Sequence, residues 1–284
     1  MKILVTGAGG FVGTNLVRHL APNHEVFALA RRTQATPASV HWIEHDLTQP
    51  LEEASLPSSV DGVIHLAQSR HYKQFPERAD DIFAVNVVGT FHLLEYARRA
   101  GATTFVFAST GGVYGARQEK LVETDPASPL DFYSTSKYIA ELLVANYDLL
   151  FHTIVFRFFF VYGPGQKGML IPNLLQKVRS GETVTIEGSG LRVNPIHVGD
   201  VVRLFEPALA LERSELLNVS GDEEVDLAKL VQVMGDAVGK APVIEHVAGP
   251  RDGSLVADNS RMKAVLGIEP RTSLAKGIAS MLEP

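Results

Sequence analysis

Cysteine is missing from all 284 residues. Its absence excludes a disulfide framework and a thiolate zinc site, and fits a cytoplasmic protein. An excess of positive charge is missing too: 26 Lys and Arg stand against 32 Asp and Glu, a net charge of −6 with the signs mixed along the chain. No basic stripe is available to a nucleic-acid backbone. No apolar run reaches the roughly 18 residues of a membrane span. Ile3 to Val17 is apolar and follows Lys2, the outline of a short export signal, but glycines interrupt it and no small-residue cleavage site follows. The ten histidines make no H-E-x-x-H or comparable ligand set, so no metal is expected. No Gly-x-Ser-x-Gly elbow points to a hydrolase.

Apolar residues make up 45% of the chain, enough for a large core. At roughly 150 residues per domain, the length predicts one or two domains. The first half alternates short apolar strands (2–6, 25–30, 40–44, 63–65, 103–108, 153–156) with helical segments (10–20, 80–100, 134–150). That alternation predicts an α/β class, a doubly wound parallel sheet covered by helices on both faces. After Pro164 the segments become short and mixed, with helices expected over 169–179, 201–211 and 226–238 and extended runs over 183–186 and 243–246. We therefore expect a dinucleotide-binding domain over 1–165 and a smaller α/β substrate lobe over 166–284. A segment near 195–220 is expected to return to the main sheet.

Thr6-Gly7-Ala8-Gly9-Gly10-Phe11-Val12-Gly13 follows a strand and opens a helix. Gly7 suits a tight turn, Gly10 a close approach of backbone to a pyrophosphate, and Gly13 close helix–strand packing. Backbone N–H groups at Phe11 and Val12 would face phosphates at the positive end of the helix. The second strand ends in Arg31-Arg32 with no acid there. An acid would select NAD, whereas arginine favours the 2′-phosphate of NADP. The cofactor is thus NADP or NAD, NADP somewhat favoured, unless both arginines are plain surface charges. Asp46-Leu47 closes the third strand, where Asp46 either accepts from the adenine amine or caps a helix.

Tyr133-Ser134-Thr135-Ser136-Lys137 puts Tyr133 and Lys137 on one helical face. A phenol titrates near pH 10, and a neighbouring ammonium lowers that toward a usable base. Thr110, at the carboxyl end of the fifth strand, offers a hydroxyl to a reacting oxygen. Gln68–Phe75, carrying Arg70, His71, Tyr72 and Lys73, reads either as a lid over substrate or as a polar surface loop.

With these motifs in place, the chain resembles the extended short-chain dehydrogenase/reductases, specifically the sugar-nucleotide epimerase/dehydratase group. The likeness covers almost the whole length. It runs through Thr6–Gly13, Asp46-Leu47, His65-Leu66-Ala67, Asn86–Thr90, Ser109–Gly115, Tyr133–Lys137, Arg157–Gly165 and His197–Val201. The resemblance implies a catalytic triad of Thr110, Tyr133 and Lys137. It also implies a cofactor pocket that includes Leu66, Ala67, Gln68, Asn86, Ser109, Phe160 and Val161, and a homodimer formed through helices near 86–100 and 134–150. The implied substrate is a nucleotide sugar, and the implied reaction is a UDP-glucose 4-epimerase-like epimerisation or, alternatively, an NADP-dependent reduction of a keto sugar. A non-catalytic dinucleotide sensor is the reading from a different class.

The departures from the family pattern are specific. Dehydratases of the group carry Asp-Glu after the catalytic threonine, where this chain has Gly111-Gly112, so a 4,6-dehydratase is not expected. Phe160 stands where many epimerases have an Asn, and Val193-Asn194-Pro195 where many have Arg-Asp-Phe. Gly111, Gly112, Arg192, Asn194 and Arg251 are the expected substrate contacts.

Overall fold

The computed structural model describes residues 1–33, 39–52, 55–115, 117, 119–188, 190–249 and 253–283. In chain order the first elements are β1 (Lys2–Thr6), α1 (Phe11–Leu20), β2 (Glu25–Ala30), β3 (Val40–Glu44), β4 (Gly62–His65), α2 (Ala79–Phe83), α3 (Gly89–Arg99), β5 (Thr104–Thr110), α4 (Phe132–Ala145) and β6 (His152–Phe158). There follow β7 (Val161–Tyr162), α5 (Leu170–Ser180), β8 (Val184–Glu187), β9 (Arg192–Val193), β10 (Ile196–His197), α6 (Val198–Val202), α7 (Phe205–Leu209) and β11 (Glu215–Val219). The chain ends with β12 (Val225–Asp226), α8 (Leu227–Val238), β13 (Ile244–Val247), β14 (Ser254–Leu255), α9 (Ser260–Leu266) and α10 (Leu274–Ser280).

Two compact units result. The first comprises Met1–Val113, Pro126–Arg157 and Val202–Leu217. It is built on a seven-stranded sheet ordered β11-β6-β5-β4-β1-β2-β3, and the pairs from β5 through β3 are parallel. The central strands are buried on both faces: all of β4 and everything in β1 after Lys2. That is why they read as continuous apolar runs rather than alternating ones. Strand order reverses between β1 and β4, which makes their carboxyl ends the topological switch point where ligands bind in such sheets. α1 buries Gly13, Leu16, Val17 and Leu20, a stripe with helical spacing. The core on one side gathers Leu93, Leu94 and Ala97 of α3, Phe105 and Phe107 of β5, and Ala140 and Val144 of α4.

The helix expected over 80–100 is present but not uniform. A π-helical turn at Ala84–Val88 joins α2 to α3. The helix expected over 134–150 begins earlier and stops at Ala145, where Asn146 turns its side-chain amide back to the Leu142 carbonyl at 2.7 Å. The helix expected over 201–211 is two short helices, α6 and α7.

The second unit comprises Tyr114–Asp125, Phe158–Val201 and Asn218–Pro284. Its core packs Ile171, Leu174 and Leu175 of α5 against Leu230, Val231 and Met234 of α8, with Val184, Ile186 and Val193 from the short strands. Asp226 caps α8 by accepting from the Lys229 amide at 2.7 Å, and Gly239 ends that helix at φ +73°.

Candidate active site

Two glycines shape the dinucleotide side of the first unit. Gly7 has φ +68°, and a Cβ there would lie 2.6 Å from the Ala67 amide nitrogen. A Cβ on Gly13 would lie 2.2 Å from the Gly7 carbonyl oxygen. The turn after β1, the start of α1 and the end of β4 therefore fit together only with glycine at both positions. α1 opens at Gly10 with no side-chain cap and no acid in its first turn. The amides of Phe11 and Val12 are thus left to an anion at the positive end of the helix. These features fit a pyrophosphate. They border a cleft of about 980 Å³ whose walls include Gly7, Gly10, Arg31, Arg32, Asp46, Leu47, Leu66, Ala67 and Gln68.

Arg31 and Arg32 are both exposed at the end of β2. Asp46 accepts from the Thr48 amide at 3.0 Å and so closes a turn; among the described residues no helix follows directly for it to cap, and it still faces the cleft. That hydrogen bond, with a smaller contribution from Arg31, holds its carboxyl below the usual carboxylate range.

Beneath the switch point His65 is fully buried, and burial, then the Lys137 charge, push its imidazole well below the usual value. Thr90 gives its hydroxyl proton to the Asn86 carbonyl at 2.6 Å, so it accepts from His65 Nε2 at 3.0 Å. His65 Nδ1 then accepts from Thr6 at 2.6 Å. The ring is therefore a neutral structural tie between β1, β4 and α3, with one tautomer fixed by its partners.

Tyr133 and Lys137, expected in the catalytic triad, both lie on α4. Asp131 caps it, accepting from the Ser134 amide at 2.8 Å and from the Ser134 hydroxyl at 3.0 Å. Tyr133, Lys137 and Glu141 follow at four-residue intervals on one side. The Tyr133 hydroxyl donates to Gln68 Oε1 at 2.7 Å, and Thr110 at the end of β5 lies beside it. The Tyr72 ring sits 5.1 Å from the Tyr133 ring. Lys137 is 1% exposed, and its ammonium lies 4.2 Å from the Phe107 ring centre. Burial lowers Lys137 to about 7, against the opposing pull of Glu141. The expected lowering of Tyr133 by Lys137 is not what this arrangement gives. Burial dominates and raises the phenol, Tyr72 and Asp131 add to the rise, and only Thr110 opposes it.

Several expected site residues are engaged by neighbouring groups of the protein. Asn86 is fully buried, accepts from the Ser69 amide at 2.9 Å and donates to Ser136 at 2.9 Å. Ser109 is buried and donates to the Glu141 carboxylate. In the second unit, Asn194 is 4% exposed; it donates to Ser220, Gly221 and Ala257 and accepts from the Ala257 amide at 3.0 Å. No polar group of its side chain is left for a substrate. Arg192 pairs with Glu224. Phe160 holds the left-handed φ of +47° and packs at the edge of the second core, and Val161 pairs with Ile196 between β7 and β10. Arg251 lies outside the described residues. Gly111 and Gly112 turn directly after Thr110, and the Gly112 amide donates to the Thr110 hydroxyl at 3.1 Å.

The family model for the NAD dependent epimerase/dehydratase family matches residues 3–220. The chain belongs to that family. Similar curated proteins include the uncharacterized UDP-glucose epimerase YtcB of Bacillus subtilis, 30% identical over 99% of this chain and 96% of its own length. Another is a dTDP-glucose 4,6-dehydratase of Streptomyces griseus, 30% identical over 98% of this chain and 92% of its own length. Among solved structures, MoeE5 in complex with UDP-glucuronic acid and NAD superposes with a TM-score of 0.88 at 30% identity, covering 99% of this chain and 98% of that one.

In this family member, sequence reasoning missed the pair beneath Lys137. Glu141 receives Arg157 through Nε at 3.0 and 3.2 Å and through Nη2 at 2.6 Å, all buried. The available signal was an acid four residues after Lys137 on the same helical face. Among the described residues no cluster of His, Cys, Asp or Glu could hold a metal ion, and no helix is long and apolar enough to cross a membrane.

Proposed function

We propose that the chain is a sugar-nucleotide epimerase that oxidises one carbinol of a UDP-sugar, as a 4-epimerase does, and reduces the ketone on its other face. The observation that carries this reading is Tyr133 on the same helical face as buried Lys137, one turn away, with Thr110 beside its hydroxyl and a cleft shaped for a dinucleotide in the same unit. The likeness to YtcB and to MoeE5 with its bound UDP-glucuronic acid and NAD supports it. Bound, the nicotinamide supplies the hydride acceptor and, oxidised, a positive charge. Tyr133 takes the proton of the substrate hydroxyl, Thr110 orients that oxygen, and Lys137 balances the phenolate. Gly111 and Gly112 border the same hydroxyl through backbone alone.

The same glycines argue against a 4,6-dehydratase. Neither can transfer a proton, and a Cβ on Gly112 would lie 2.5 Å from the Ser134 hydroxyl oxygen, so a side chain there would push that hydroxyl off its bond to Asp131. The cofactor is NADP or NAD, with a 2′-phosphate favoured by the two guanidiniums at the cleft. Those arginines also support a second reading, an NADP-linked reductase of a keto sugar. Denaturing the purified protein and identifying the released nucleotide separates the two. An epimerase gives near-stoichiometric NAD or NADP and interconverts UDP-glucose and UDP-galactose without added cofactor. An empty site that needs NADPH added for each turnover makes it the reductase.

We further read the protein as a cytoplasmic homodimer. Phe91 of α3 and Leu142 of α4 expose 44 and 51% of their surfaces on the helices expected to pair. Light scattering should give twice 30.9 kDa, and a single-chain mass would reject the dimer.

A further inference from the structure

Tyr133 is held at both ends by the loop that follows β4. Its hydroxyl donates to Gln68 at 2.7 Å. Its carbonyl accepts from Ser136 at 2.7 Å, Ser136 accepts from Asn86, and Asn86 accepts from the amide of Ser69, the neighbour of Gln68. The loop itself is pinned: Ser69 bonds Asp81 of α2 and accepts from the His71 amide at 3.0 Å. Tyr72, three residues on, places its ring beside that of Tyr133. Gln68 is exposed at the cleft wall, so nothing in the core requires a glutamine there. A phenol that donates to a carboxamide oxygen is committed as a phenol, because that oxygen accepts a hydrogen bond and offers a phenolate nothing.

We propose that Gln68 is a positioning residue that latches Tyr133 in its neutral form, and that an arriving substrate hydroxyl displaces it. The proposal rests on Tyr133 being the group that takes the substrate proton. The groups facing the phenol are Thr110 from β5, Tyr72 from the loop, Asp131 from the α4 cap and Lys137 one turn along α4. Of these, Tyr72 and Asp131 act in the same direction as the latch. When the substrate hydroxyl displaces Gln68, the phenol gives its own proton to solvent at the exposed cleft wall, and the phenolate so formed takes the proton of the arriving hydroxyl, so the base is released only when there is a proton to take.

The test is a titration of the Tyr133 resonance in protein labelled at tyrosine Cζ and loaded with oxidised dinucleotide. The line is assigned among the seven tyrosines by its loss in Tyr133→Phe. One hydrogen bond to a neutral acceptor corresponds to about one pH unit. Gln68→Ala is therefore expected to ionise Tyr133 about one unit lower, and Gln68→Glu, which adds a charge, to ionise it higher than the native protein does. An unchanged midpoint in Gln68→Ala overturns the latch, and so does a higher one, which would mean that the amide turns and donates to the phenolate. The readout needs no substrate. Loss of epimerase activity as a reading would leave it standing, and a failed titration shift would leave the epimerase assay standing.

Discussion

Tyr133→Phe is expected to fold, to bind its dinucleotide as the native protein does, and to lose turnover by about 10²- to 10⁴-fold, the range that general acid–base catalysis contributes. The physical case is that the substitution removes one oxygen and little else. The ring keeps its place beside Tyr72. Gln68 loses its donor but is exposed, so water replaces the phenol and stability changes by less than about 1 kcal/mol. The pyrophosphate cradle around Gly7, Gly13 and the start of α1 is built from other segments and is untouched. Steady-state turnover with UDP-glucose, set beside nucleotide content and thermal midpoint, checks all three statements. Turnover within tenfold of native, with the fold intact, would remove Tyr133 from the chemistry. A protein that had also lost its nucleotide would mean that the hydroxyl organises the cleft rather than the proton.

What was legible in the sequence is what has a period or a spacing. The glycine turn and its helix were readable because only glycine tolerates the contact at Gly7 and Gly13, and the Tyr133–Lys137 face because helical residues four apart align. The end of α4 was not. Leu149 and Leu150 extend an apolar pattern, yet they are exposed, and the helix has already turned at Asn146. The π-helical turn at Ala84–Val88 leaves no pattern in the sequence either. Asn86 lies within it, and there it braces the loop and α4 where a cofactor contact was expected. The second unit was least legible, since β7, β9, β10, β12 and β14 are two residues each. Strands that short carry no alternation and are set by pairing partners distant in the chain, as Ser254 of β14 is set by Arg192 of β9. The same long-range pairing explains Asn194, whose amide is consumed by partners 26 to 63 residues away.

Glu141→Ala should be the most destabilising polar substitution in the first unit, and it should also disable the site from a distance. The Glu141 and Arg157 side chains are 7 and 5% exposed, joined by three hydrogen bonds, and Ser109 adds a fourth. Removing the acid takes the carboxylate from the buried Arg157 guanidinium, with the buried Lys137 one turn away from the vacated position on α4. Breaking a buried pair in this way costs about 3–5 kcal/mol, which is a lowering of the thermal midpoint by roughly 10 °C in a chain of this size. Lys137 also loses the one group that raises it, so its pKa falls below about 7 and its ammonium population at neutral pH shrinks. The sign is fixed by burial: without a counter-charge, a desolvated amine prefers to be neutral. Replacing both partners by apolar side chains of similar volume, as in Glu141→Leu with Arg157→Met, removes the stranded charge and should return most of the lost stability. It cannot return the negative charge to Lys137. The double variant is therefore expected to melt near the native midpoint and still turn over slowly, with its activity shifted to lower pH, where Lys137 is protonated. If stability and turnover recovered together, the pair would be scaffold alone. If the single variant melted within about 2 °C of native, the pair would be contributing neither stability nor charge.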